Sequence, residues 1–200
     1  MKKAVTLSAI IICAMSLQLQ AQKIKVKEGN LDFLKNEKFI DIAYKYDDMK
    51  VGKMTEEKYV EKTKKKYNDK EEGKGDRWAE AWEADRANRF EPKFESLLNK
   101  YLDSKGILAE DGSQDAKYTM TVHTTWTEPG FFGGVVQKPA YISGLVIFTE
   151  KGNESKKLAV LEFIKSPGNS VASFDTGERI KEAYAKLGKT LAKYLLKKGF

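Results

Sequence analysis

Two hundred residues with a formal charge of +7, one histidine and one cysteine are enough for a single domain with its own core. The cysteine, Cys13, lies in an apolar leader, so the rest of the chain has no thiol for disulfides, thiol catalysis or cysteine-ligated metal. One histidine leaves no second imidazole for a zinc site, and no Gly-x-Ser-x-Gly is present.

The chain opens with Lys2 and Lys3, runs apolar from Ala4 to Leu17 and reaches a small residue at Ala21. That is the pattern of a signal peptide over residues 1–21, cleaved to leave one exported domain over 22–200. The apolar run is shorter than the roughly 20 residues a spanning helix needs, so no transmembrane segment is expected after cleavage. Ile12 stands where a lipoprotein signal would place a small residue before Cys13, which argues against lipid anchoring. The expected location is the periplasm or the extracellular space. Loss of Lys2 and Lys3 lowers the charge from +7 to +5, a modest excess that does not point to nucleic acid.

A first strand is expected in residues 38–46, where Ile40, Ile42, Tyr44 and Tyr46 alternate with polar positions. Thr55 followed by Glu56 and Glu57 predicts a capped helix ending near Asn68. Residues 68–76 carry no apolar side chain and two glycines, and are expected to form an exposed loop, the weakest point of the domain. Trp78, Trp82, Phe90, Phe94, Leu97, Leu98 and Tyr101 recur at helical spacing, with Pro92 kinking the helix or starting a second segment, and Gly106 closing it. Tryptophans so placed belong to a core more often than to a groove.

Residues 117–126 alternate again, with Tyr118, Met120, Val122 and Trp126 on a dry face and Thr119, Thr121, His123 and Thr125 on a wet one. Residues 141–149 and 157–165 flank Gly152-Asn153 as an antiparallel hairpin. From Asp175 onward Ile180, Tyr184, Leu187, Leu191 and Leu195 form the apolar stripe of a terminal helix, with lysines mostly elsewhere. The order β–α–α–β–β–β–α predicts an α+β two-layer sandwich, a mainly antiparallel sheet of about four strands with helices covering one face.

His123 is expected to face solvent. The glycines of TEPGFFGGVV do not match a phosphate-binding loop, and no cofactor or metal is expected. Trp126, Phe131 and Phe132 lie in or beside that connection. They form either a cap folded back on the core or, with His123, a possible interaction loop for an envelope protein or cell-wall component. Two alternatives remain open: a glycan hydrolase using two carboxylates, with Glu128 and Asp175 the best-placed acids, and a small-molecule carrier with a pocket between helices and sheet.

Three segments, GNLDFLKNEKFIDIAYKYDDMKVG, YTMTVHTTWTEPGFFGGVVQKPAYISGLVIF and FDTGERIKEAYAKLGKTLAKYL, resemble a family of uncharacterised small exported proteins of Bacteroidetes-type bacteria. That family is distantly similar in architecture to the periplasmic interaction domains of penicillin-binding-protein activator lipoproteins and to the amino-terminal domain of TolB. The resemblance implies an α/β envelope protein that binds other proteins, and it supplies no catalytic residue.

Overall fold

The computed structural model describes residues 23–168 and 173–200. The signal peptide expected over residues 1–21, with Cys13 and the expected cleavage after Ala21, lies outside the described residues. The described chain folds as β1 (Lys23–Gly29), β2 (Phe39–Lys45), β3 (Lys50–Val51), β4 (Met54–Thr55), α1 (Glu56–Asn68), α2 (Lys74–Asp85) and α3 (Glu91–Leu102). There follow β5 (Leu108–Asp111), β6 (Tyr118–Glu128), β7 (Phe131–Phe132), β8 (Gln137–Lys138), β9 (Tyr141–Glu150), β10 (Asn153–Pro167) and α4 (Thr176–Lys198).

The expectation of about four antiparallel strands is corrected. The main sheet has eight strands and is mixed, in the order β1-β10-β9-β6-β2-β5, with β3 pairing to both β4 and β6. β2 runs parallel to both β5 and β6, and β3 also runs parallel to β6. The helices α1 to α3 supply the long crossover that a parallel β2–β5 pair requires. Two edge strands escape the period-two pattern for physical reasons. β1 is lysine-rich and mostly exposed, as suits an edge. β5 has four residues and buries Ala109 alone.

One sheet face carries Ile40, Ile42, Met120, Val122, Phe148 and Phe163, all buried. Phe94 and Leu98 of α3 and Ile180, Leu187, Leu191 and Leu195 of α4 join the same core, each worth about 1.5–3 kcal/mol of burial. α3 and α4 approach closely at Gly188, where a Cβ would stand 2.3 Å from the Phe94 carbonyl oxygen.

Thr55 caps α1 as its sequence predicts, its side chain accepting from the Lys58 amide. The loop expected over 68–76 is present as a short turn, exposed at 69–72, but α2 begins at Lys74 and the turn is fastened rather than weak. Asn68 accepts from the Gly75 amide at 2.6 Å and donates to Asp76, and Lys64 pairs with Asp76 at 2.6 Å. Gly75 is buried against α1, so close that a Cβ there would lie 2.0 Å from the Lys64 carbonyl oxygen. Composition hid this, since the stabilising groups are polar side chains bonded to backbone. Pro92 sits in the first turn of α3, after a single π-helical turn at Arg86–Phe90, and Gly106 takes the left-handed conformation that ends the helical region. Trp82 is buried, and Trp78 and Trp82 contact each other and Tyr59 of α1.

Candidate functional site

Because β2, β3 and β6 run parallel, their carboxyl ends share one end of the sheet, the position at which open α/β sheets most often present ligands. The connections after these strands build that end. Past β2, Asp48 takes φ 55° and turns the chain into β3. The β3–β4 turn is fastened to β6 by Gly52, whose amide donates to the Thr127 carbonyl at 2.8 Å while its own carbonyl accepts from Trp126 Nε1 at 2.9 Å.

The placement of Trp126 is a correction. Between Thr124 and Trp126 the register of β6 against β9 shifts by a β-bulge, which inserts one residue and reverses the alternation beyond it. Thr124 keeps the inward direction of Met120 and Val122, Thr127 beyond the bulge turns inward in its turn, both are buried, and Trp126 leaves the face of Met120 and Val122. His123 lies on the outer face beside Lys45 and Leu145, its Nε2 3.1 Å from the Asp47 carbonyl oxygen.

At this end a surface depression of about 400 Å³ is lined by Tyr46, Asp48, Met49, Lys50, Thr55 and the first two residues of α1. Beneath it, between Tyr46, Glu56, Trp82, Arg86 and Tyr184, lies a niche of about 10 Å³, room for about one water molecule. The polar groups around it hold one another. Glu56 accepts from Arg86 Nη2 at 2.6 and 2.7 Å and from Trp82 Nε1 at 2.7 Å. The Arg86 guanidinium lies 4.4 Å above the centre of the Tyr46 ring, a cation–π contact. Tyr46 donates to Glu91 at 3.0 Å and Tyr44 to Glu95 at 2.9 Å. Burial raises the pKa of both glutamates, opposed by the tyrosine hydrogen bonds and reinforced by the charge of Asp111. Burial likewise pushes the Tyr44, Tyr46 and Tyr184 hydroxyls above their ordinary range. The network clamps α1, α2 and α3 to β2.

The second feature at this end is the connection from β6 to β9. It does not fold back over the core. Phe131–Phe132 and Gln137–Lys138 pair as a separate two-stranded hairpin, an arm on which Phe131 is 53% exposed, Val136 59% and Val135 99%. Phe132 packs edge-on against Phe174 at 4.7 Å, and Phe174 is itself 78% exposed. The Phe131 ring lies over Gly133, where a Cβ would stand 2.6 Å from the tip of that ring.

Arg179 of α4, 7% exposed, anchors the arm's base. Its Nε donates to the Pro129 carbonyl at 3.0 Å, Nη1 to the Ser173 carbonyl at 2.7 Å and Nη2 to Thr176 Oγ1 at 3.1 Å. Burial lowers the pKa of this guanidinium from its ordinary value. Beside it Asp175 caps α4 by accepting from the Gly177 and Glu178 amides and binds Arg89 at 2.6 Å. Burial works to raise the Asp175 pKa, and the Arg89 contact with the two helix amides outweighs it, leaving the group below the ordinary carboxylate value. Asp85 and Glu178 also reach Arg89.

Of the four candidate site residues, Phe131 and Phe132 thus share one surface, with Trp126 near its root and His123 on the sheet's outer face. Sequence reasoning missed Phe174 and Arg179. Phe174, an aromatic directly before a helix cap, carried a usable signal; the carbonyl-binding role of Arg179 did not. Among the described residues no group of three or more His, Cys, Asp and Glu is placed to hold a metal ion, and no helix is long and apolar enough to cross a membrane. Searches of family models, curated proteins and solved structures returned no match to this chain.

Proposed function

We propose that this chain is an exported, non-enzymatic envelope protein that binds a partner protein through the β7–β8 arm. The observation that carries the reading is the exposed cluster of Phe131, Val135, Val136 and Phe174 on a hairpin whose root is locked by Arg179. Large apolar side chains held in water on a rigid base cost solvation in the free protein. Covering them with an apolar pocket of a partner removes that cost. The mixed-charge rim of Arg89, Asp85, Asp175 and Glu178 next to Phe174 matches the polar surround of a protein interface. The resemblance to exported interaction domains and the leader peptide support the same assignment. The hydrolase alternative is weakened at Asp175, whose two oxygens are committed to the α4 cap and Arg89. The carrier alternative is left with the open surface depression beside α1, since the niche enclosed between Tyr46, Trp82 and Tyr184 holds about one water molecule.

The test places a photo-crosslinking residue at Val135 in the exported protein and identifies the adduct by mass spectrometry. The reading expects one defined envelope protein, whose purified form binds the chain and loses about ten-fold or more in affinity on Phe131→Ser with Phe174→Ser. An adduct with lipid alone, with a second copy of this chain, or with glycan overturns it.

A further inference from the structure

α4 carries a second surface, remote from the arm. After Glu182 the chain contains no acidic residue, and residues 183–200 hold five lysines. Lys186, Lys189, Lys193 and Lys197 are spaced three, four and four residues apart, which aligns them on one side of a helix. Leu187, Leu191, Ala192 and Leu195 are buried on the other side. The helix therefore buries its apolar stripe and carries the lysine row on the opposite side, Lys193 and Lys197 exposed and Lys186 and Lys189 half-buried.

Among the described residues none of these four lysines forms a salt bridge. The aromatic ring of Tyr101 from α3 sits between two of them, with Lys189 Nζ 5.8 Å and Lys193 Nζ 5.2 Å from its centre. The row is not a general property of this chain's helices. α1 also exposes Lys58, Lys62, Lys65 and Lys66, but intersperses them with Glu57 and Glu61. On α4 four like charges stand within one Debye length of their neighbours, and the nearest acid on the helix, Glu182 one turn before Lys186, lies 4.0 Å from Lys93 of α3. Such an arrangement repels itself in the free protein and gains energy only against a partner of opposite charge.

We propose that this face of α4 docks the protein on an anionic phospholipid surface. The charge and shape favour lipid over a protein partner: the row is straight, basic throughout and without an exposed large apolar side chain among the four lysines. Even from the half-buried Lys186 and Lys189, long lysine stems let the ammonium groups extend to headgroup phosphates. Lys186 lies ten residues past Thr176 and Lys197 twenty-one, placing the row about 15–30 Å from the α4 N-terminus. The arm beside that N-terminus is thereby left free to engage a partner.

The test is co-sedimentation of the processed protein with vesicles of neutral phosphatidylcholine, alone or with about 30 mol% phosphatidylglycerol, at low and at physiological salt. Binding is expected only with the anionic vesicles, weakening as salt rises. Lys186→Gln, Lys189→Gln, Lys193→Gln and Lys197→Gln together should weaken it by about ten-fold or more. The same change at Lys58, Lys62, Lys65 and Lys66 should alter it by less than about three-fold. The α4 variant should remain folded, relief of like-charge repulsion offsetting the lost contacts of Lys189 and Lys193 with Tyr101, and the two halves of the variant made separately should each give a partial loss. Equal losses from the α1 and α4 variants would reduce the effect to net charge and overturn the proposal. So would absence of vesicle binding, or binding of soluble polyphosphate in its place.

Discussion

Arg86 Nη2 lies 2.6 and 2.7 Å from the two carboxylate oxygens of Glu56, joining the end of α2 to the first turn of α1 with both side chains more than three-quarters buried. No residue of α1 is fully buried, so the helix is held by its aromatic contacts with Trp78 and Trp82, by the Lys64–Asp76 and Asn68 bonds at its far end, and by this pair. Glu56→Ala leaves the Arg86 guanidinium and Trp82 Nε1 without their acceptor. Since breaking a fully buried pair costs about 3–5 kcal/mol, this partly exposed one should cost about 2 kcal/mol in urea unfolding. Trypsin should cut at Lys58 and Lys62 faster than in the parent. Unchanged cleavage and an unchanged midpoint would show that the pair does not hold α1.

The buried guanidinium of Arg179 is a separate lock. Its hydrogen-bond partners are the carbonyl oxygens of Pro129, Ser173 and Asp175 and the Thr176 hydroxyl. Arg179→Met keeps the length of the stem and strands those acceptors, at about 2–4 kcal/mol. A fluorophore on the arm at Val136 should lose steady-state anisotropy in this variant. Phe131→Ser, by contrast, removes a side chain already half in water and should leave the melting temperature within about 1 °C. If the arm is equally ordered in both variants, Arg179 is not its anchor.

How much of this was legible in the sequence depended on whether a feature announces itself through apolar periodicity. β2, β9, β10, α3 and α4 did, because one face of each is buried. β6 did up to Thr124, where a bulge reversed the alternation and took Trp126 off the buried face. β1 and β5 did not, since an edge strand rich in lysine and a strand with one buried residue leave almost no pattern. The same limit applies at the candidate site. Phe131 and Phe132 stand out as neighbouring aromatics in a glycine-rich connection, whereas the meeting of Phe132 with Phe174 joins positions 42 residues apart and depends on α4 returning to the end of β6.

β5 lies at the edge of the sheet, and Asn99 of α3 covers it. Its side-chain amide donates to the Ala109 carbonyl at 2.7 Å and its carbonyl accepts from the Ala109 amide at 2.9 Å, taking the place of a neighbouring strand. Asn99→Ala loses both bonds, about 2 kcal/mol at the usual 0.5–1.5 kcal/mol each, and opens the edge to pairing with other chains. A lowered urea midpoint with concentration-dependent association in light scattering is expected. A variant that is destabilised yet strictly monomeric would remove the protective role and leave only the bonds.

Glu91 and Glu95 make stability depend on pH in a defined direction. Burial is the leading cause of their raised pKa values, so the folded protein takes up protons that the unfolded chain does not. Their favourable contribution is complete below the ordinary glutamate pKa of about 4.3 and is lost as pH rises through the raised folded value. Above that raised value the ionised carboxylates are carried at a net cost to folding. Glu91→Gln retains an acceptor for the Tyr46 hydroxyl, bonded here at 3.0 Å, and removes the buried charge. The variant should gain stability over the parent at about pH 7 and lose that advantage at about pH 4. Thermal unfolding across this range decides the matter. An advantage that grows on acidification would mean that the ionised carboxylate is favoured by Arg86, the neighbouring cation, more strongly than burial opposes it.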